Sequence, residues 1–121
     1  MNVLSLFDGM SCCRLALEKL DVSVEKYYAS EIDKYAIQVY EKHFKHKNYG
    51  DATIIDAEKL PDFDMLCGGF PCQSFSIAGK QKGKDDERYL WDEMFRVIKE
   101  VKPRWIIGEN VQNLINIADG Q

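Results

Sequence analysis

A doubly wound α/β domain is the fold class the sequence predicts, on three observations. Apolar runs of strand length recur along the chain, segments with helical periodicity alternate with them, and the runs end in glycine or acidic turns. The runs are VLSLF (3–7), YYAS (27–30), FDMLCG (63–68) and RWIIG (104–108). They are continuous rather than alternating, as expected of strands covered on both faces of a parallel sheet.

Each element follows in order. After the first strand, SCCRLALEKL carries Leu15, Leu17 and Leu20 among helix formers. The second strand is followed by DKYAIQVYEKHF, where Ala36, Ile37, Val39, Tyr40 and Phe44 supply one apolar side. A short third strand is expected near residues 48–50, and the fourth is FDMLCG. The segment DDERYLWDEMFRVIKEVKP is acidic in its first turn, basic near its end and stopped before Pro103, as helix dipole and proline rules require. Right-handed crossovers with one reversal predict the strand order 3-2-1-4-5, which brings the ends of strands one and four together at a ligand-binding switch point. Trp91 and Trp105 are expected in the core.

With 121 residues, 45% of them hydrophobic and 30% charged, one globular domain with its own core is expected. The net charge of −4 argues against a domain whose whole face grips phosphate, so any nucleic-acid contact should be local. Lys80, Lys82 and Lys84 with Arg88 are the local basic candidate, or a solvated loop. The first ten residues have no basic segment followed by an apolar one, and no run approaches the roughly 18 apolar residues of a membrane span. A cytoplasmic protein without membrane contact is expected, with Cys12, Cys13, Cys67 and Cys72 as free thiols. The adjacent Cys12 and Cys13 lack the spacing of a zinc hook, so no metal is expected, and His43 and His46 read as solvated residues at a helix end.

The turns carry the chemistry. Phe7-Asp8-Gly9-Met10-Ser11 leads from a strand into a helix, where backbone amides can meet a nucleotide-like ligand, although Gly9 alone also suits a plain turn. Glu31 follows that turn by about 20 residues, the distance at which an acid can hold ribose hydroxyls; Glu31 or Asp33 could equally favour the next helix's start. Asp51, after Gly50, could accept from an adenine amino group or close a turn. Cys72 lies beyond the end of strand four, whereas a structural cysteine sits within a strand as Cys67 does. Glu109 ends strand five and brings a carboxylate to the same crevice.

Taken together, LSLFDGMSC, SEIDKYA, GDAT, GGFPCQSFSIAGKQKG and GENVQNL resemble, in order, motifs of the DNA cytosine-5 methyltransferases, most of all the short phage and bacterial members. The resemblance implies a Rossmann-like S-adenosylmethionine-dependent methyltransferase fold acting on double-stranded DNA, as in restriction-modification systems. It makes Cys72 the nucleophile that adds to C6 of cytosine, with Pro71 shaping its loop, Glu109 holding the N3/N4 edge, and Asn110 and Val111 supporting that geometry. Phe7 and Ile32 would flank the cofactor's adenine, Glu31 would hold its ribose and Asp51, beside Ala52, its amino group, while Gly9 admits close backbone approach. Leu90 matches a further cofactor contact. Gln73, Ser74, Ser76, Lys80 and Lys82 would face DNA as their loop closes over a flipped base.

Two departures stand out. The family commonly has a glycine where Cys13 stands, and it continues beyond residue 121 with a base-contacting motif, a target-recognition region and a C-terminal helix. The chain therefore reads as a single cofactor-binding and catalytic fragment over residues 1–121, incomplete by itself. An uncovered apolar edge at RWIIG then predicts self-association or a complementing C-terminal chain. Alternative readings are a noncatalytic or complementing subunit of a split methyltransferase, an unrelated thiol enzyme or oxidoreductase on the same fold, and a tRNA-directed relative.

Overall fold

Strands β1 (Asn2–Leu6), β2 (Lys26–Ser30), β3 (Lys47–Asn48), β4 (Met65–Gly68) and β5 (Trp105–Gly108) form one parallel sheet in the order β3-β2-β1-β4-β5. This is the order that the sequence predicts. The computed structural model describes residues 1–69 and 91–109. Helices α1 (Cys12–Lys19), α2 (Lys34–Glu41) and α3 (Trp91–Val101) connect or precede strands, and two 3-10 turns, Ala52–Ile54 and Ala57–Lys59, lie between β3 and β4.

Helix α2 starts where a side chain satisfies free amides. Asp33 caps α2 by accepting from the Tyr35 and Ala36 amides at 2.8 and 3.4 Å. Along α3, Arg96 reaches Glu93 and Glu100, both at 3.0 Å, and donates to the carbonyls of Ile55 and Ala52 at 3.1 and 3.2 Å. One guanidinium thus ties the helix to the segment after β3.

Over β1, β2 and β4 both sheet faces are packed, which explains the continuous apolar runs of those strands. On one face Leu4, Leu6 and Leu66 meet Phe63, Ile55, Met94 and Val97; on the other, Val3, Ala29, Met65 and Cys67 meet Leu17 and Tyr27. Three expectations need correction. Trp105 is 58% exposed rather than core, because β5 is the outer strand among the described residues and Ile106 and Ile107 are half exposed beside it. In α1 only Leu17 is fully buried, with Cys13 partly buried beside it; Leu15, and Leu20 just past the helix, are exposed, so the apolar side is narrow. Val39 is likewise exposed, and Tyr40 is the buried anchor of α2.

Candidate cofactor site

The carboxyl end of β1 turns sharply into α1. Phe7, Gly9 and Ser11 adopt left-handed conformations with φ of 54°, 62° and 65°, an arrangement costly for the two residues that carry a Cβ. The turn is held by the Asp8 amide donating to the Ser30 carbonyl and the Ser11 amide to the Asp8 carbonyl, both at 3.1 Å. It aims the Gly9 amide outward, and that amide donates to Glu31 Oε1 at 2.7 Å.

Glu31 follows β2 and is fixed on every side. Its Oε2 accepts from the amides of Ile32 and Asp33 at 2.9 Å each. Asn48, at the end of β3, accepts from the Glu31 amide and donates to its carbonyl, both at 3.0 Å. A carboxylate has about four lone-pair sites, so with three backbone donors in place it keeps one for a further donor, and its orientation is set before any ligand arrives. Asp51 caps the 3-10 turn at Ala52–Ile54, its Oδ1 accepting from the Thr53 amide at 2.9 Å and the Thr53 hydroxyl at 2.8 Å. Those two hydrogen bonds hold its carboxyl below the ordinary aspartate range.

Phe7, Ser30, Glu31, Ile32, Gly50, Asp51, Ala52 and Gly69 line a cavity of about 240 Å³. The sequence-predicted residues Phe7, Glu31, Ile32, Asp51 and Ala52 are therefore brought together, and Gly9 joins them through its bond to Glu31. Ser30, Gly50 and Gly69 complete the walls without having been singled out by sequence. Ile32 is 72% exposed and offers an apolar flank to whatever enters. A larger cleft of about 450 Å³ lies beside Asp56, Glu58, Lys99, Glu100 and Lys102, next to the end of α3 that leads into β5. It is away from the strand carboxyl ends, where ligands of such sheets bind.

Glu109 stands at the far side of the cavity's Gly69. Its amide donates to the Gly68 carbonyl at 2.9 Å, extending the β4–β5 register. A Cβ on Gly69 would lie 2.7 Å from Glu109 Oε2, so a larger residue there would turn the carboxylate aside. Pro71, Cys72, Gln73, Ser74, Ser76, Lys80, Lys82, Leu90 and Asn110 lie outside the described residues.

Beneath the turn is a buried polar cluster that sequence reasoning missed. Asp8 Oδ1 accepts from the Tyr27 hydroxyl at 2.6 Å, and its Oδ2 accepts a short bond from the Ser11 hydroxyl. His46, expected in solvent, has a side chain only 2% exposed, 3.8 Å from Asp8. It is covered by Tyr40, stacked at 4.5 Å, and by Tyr27 at 4.9 Å. Arg14 Nη1 donates to His46 Nδ1 at 2.8 Å. A guanidinium can only donate, so Nδ1 is bare and the ring proton sits on Nε2, facing the Ser11 hydroxyl at 3.4 Å. Burial holds the imidazole below its usual pKa, opposed by the Asp8 charge and assisted by Arg14. Burial and Asp8 likewise push the Tyr27 hydroxyl upward, so it stays a donor.

Comparisons place this geometry in a family. The model of C-5 cytosine-specific DNA methylase matches residues 1–121. The chain is 44% identical over 121 residues to the type II methyltransferase M.HhaI of Haemophilus parahaemolyticus, covering 99% of this chain and 36% of that protein. It is 45% identical over 124 residues to the orphan methyltransferase M.Rho11sI of Bacillus phage rho11s, covering 99% of this chain and 25% of that one. The chain thus spans about a quarter to two fifths of the length of these relatives. The crystal structure of the S. pombe Dnmt2 methyltransferase superposes with a TM-score of 0.77 at 22% identity, covering 98% of this chain and 38% of that one, so the fold is shared. With its whole length matched and its sheet in the methyltransferase order, the chain belongs to the C-5 cytosine-specific DNA methylase family.

Proposed function

We propose that the chain is the cofactor-binding and nucleophile-bearing part of an enzyme that transfers a methyl group from S-adenosylmethionine to C5 of cytosine in double-stranded DNA. The observation that carries this reading is Glu31, held by three amides at the lip of a cavity walled by Phe7 and Ile32, with Glu109 beyond Gly69. The residues fit the cofactor: an acceptor for ribose hydroxyls, apolar flanks for adenine, and an ionised Asp51 for the amino group. Bound there, S-adenosylmethionine supplies an electrophilic methyl group.

The chain's own residues do the rest. Cytosine C5 is a poor nucleophile until the Cys72 thiolate adds to C6 and moves electron density onto C5. After methylation, loss of the C5 proton expels the thiolate by β-elimination. Only a few per cent of an ordinary thiol is ionised at neutral pH, so Cys72 needs amides or cations nearby. Glu109 holds the N3/N4 edge and stabilises charge on the ring, with Pro71 and Asn110 positioning the two groups. Gln73, Ser74, Ser76, Lys80 and Lys82 contact DNA, and Leu90 adds a cofactor contact. Among the described residues no helix is long and apolar enough to cross a membrane, and a cytoplasmic setting matches a DNA substrate.

The test is covalent trapping on duplex DNA whose cytosine carries fluorine at C5, which cannot depart as a proton does. The expected product is a cofactor-dependent adduct mapped to Cys72 and absent from Cys72→Ala. An adduct that persists in that variant would overturn the assignment. Exposed Trp105, Ile106 and Ile107 on the outer strand also support pairing along β5 with a second copy or a complementing chain. Sedimentation should then show concentration-dependent association; a monomer throughout the micromolar range would remove that part of the reading.

A further inference from the structure

Cys13 and Cys67 belong to no part of the methyl-transfer machinery, yet they face one another. Cys13 lies in the first turn of α1 and Cys67 in strand β4, between β1 and β5, 54 residues apart in sequence, with their sulfurs 2.9 Å from each other. Cys67 is 5% exposed, Cys13 is half-buried, and Cys12 beside it is exposed. A disulfide needs about 2.05 Å between sulfurs, so closure asks for less than about 1 Å of approach by a side chain at a helix end.

We propose that Cys13 and Cys67 form a thiol pair that closes to an intramolecular disulfide on exposure to a hydroperoxide, stapling the helix behind the cofactor turn to the strand that leads toward Cys72. The Cys13 sulfur attacks the peroxide oxygen, giving a sulfenic acid and releasing alcohol or water. Cys67 then gives up its proton and attacks the sulfenic sulfur, expelling water. Two thiols and one hydroperoxide thus become one disulfide, one alcohol or water, and one further water. The order of events follows from the surroundings. Cys13 is the more accessible, and the Cys67 thiol beside it lowers its pKa against burial and the Asp8 charge. The Cys13 contact and burial push Cys67 upward, so it keeps its proton until it resolves. Cysteine at position 13, where the family resemblance would put glycine, is what creates the pair.

Limited hydrogen peroxide treatment of the intact chain, followed by nonreducing digestion and mass spectrometry, tests this. The expected result is a Cys13–Cys67 linked peptide as the main disulfide and a thermal midpoint higher by roughly 10 °C, because a long loop is closed in the unfolded chain. Dithiothreitol should reverse both changes, and Cys13→Ala should show neither. Free Cys13 and Cys67 after oxidation, or a dominant disulfide through Cys12 or Cys72, would overturn the proposal. None of these readouts depends on methyl transfer.

Discussion

Glu31→Ala is expected to weaken S-adenosylmethionine binding roughly 10- to 150-fold, since a hydrogen bond to a charged group contributes about 1.5–3 kcal/mol and the carboxylate has one acceptor site left for a ribose hydroxyl. A second loss reinforces the first. The substitution also frees the Gly9, Ile32 and Asp33 amides, which the carboxylate holds at 2.7–2.9 Å. Without it, the turn that presents Gly9 and the β2 end that presents Ile32 lose their shared acceptor. Glu31→Gln keeps one acceptor oxygen and should fall between the two. Titration calorimetry measures all three, with circular dichroism to establish that the variants are folded. Equal affinity of wild type and a folded Glu31→Ala would mean that the ribose is not held here.

Much of this site was legible because its residues obey local rules. Glu31 and Asp51 follow strands, and a carboxylate just after a parallel strand must emerge at the sheet's carboxyl edge. The sheet order followed from the alternation of strand and helix and from one reversal. What escaped was decided by partners distant in sequence. His46 reads as solvated because nothing near it announces that Asp8, Arg14 and Tyr27 close over it from the turn after β1, from α1 and from β2. The Cys13–Cys67 contact is equally nonlocal. Residue type alone puts Trp105 in the core, yet its place on the outer strand among the described residues leaves it 58% exposed. Asp8 is the instructive case: in Phe7-Asp8-Gly9 it reads as a turn residue, and only burial shows that it supports the turn from below.

That support is large enough to measure. Asp8→Ala is expected to cost about 2–5 kcal/mol of stability, because the Tyr27 and Ser11 hydroxyls lose their acceptor inside the protein and each buried unsatisfied group costs about 1–3 kcal/mol. Urea unfolding of Asp8→Ala and the near-isosteric Asp8→Asn gives the difference; a change under about 1 kcal/mol for alanine would show that water replaces the carboxylate. The pH dependence adds a sign. His46 has a folded pKa below its ordinary value near 6.5, so in mild acid the unfolded chain binds more protons than the folded one. Its contribution is complete above that value and is lost as the pH falls through the unfolded pKa toward the folded one. Of the forces acting on His46, the Asp8 charge favours the imidazolium, while burial and Arg14 oppose it. Removing Asp8 therefore extends the acid-sensitive window to lower pH, whereas His46→Gln should flatten it. An acid slope unchanged in His46→Gln would assign the loss to carboxylates elsewhere and leave the cluster without a titrating member.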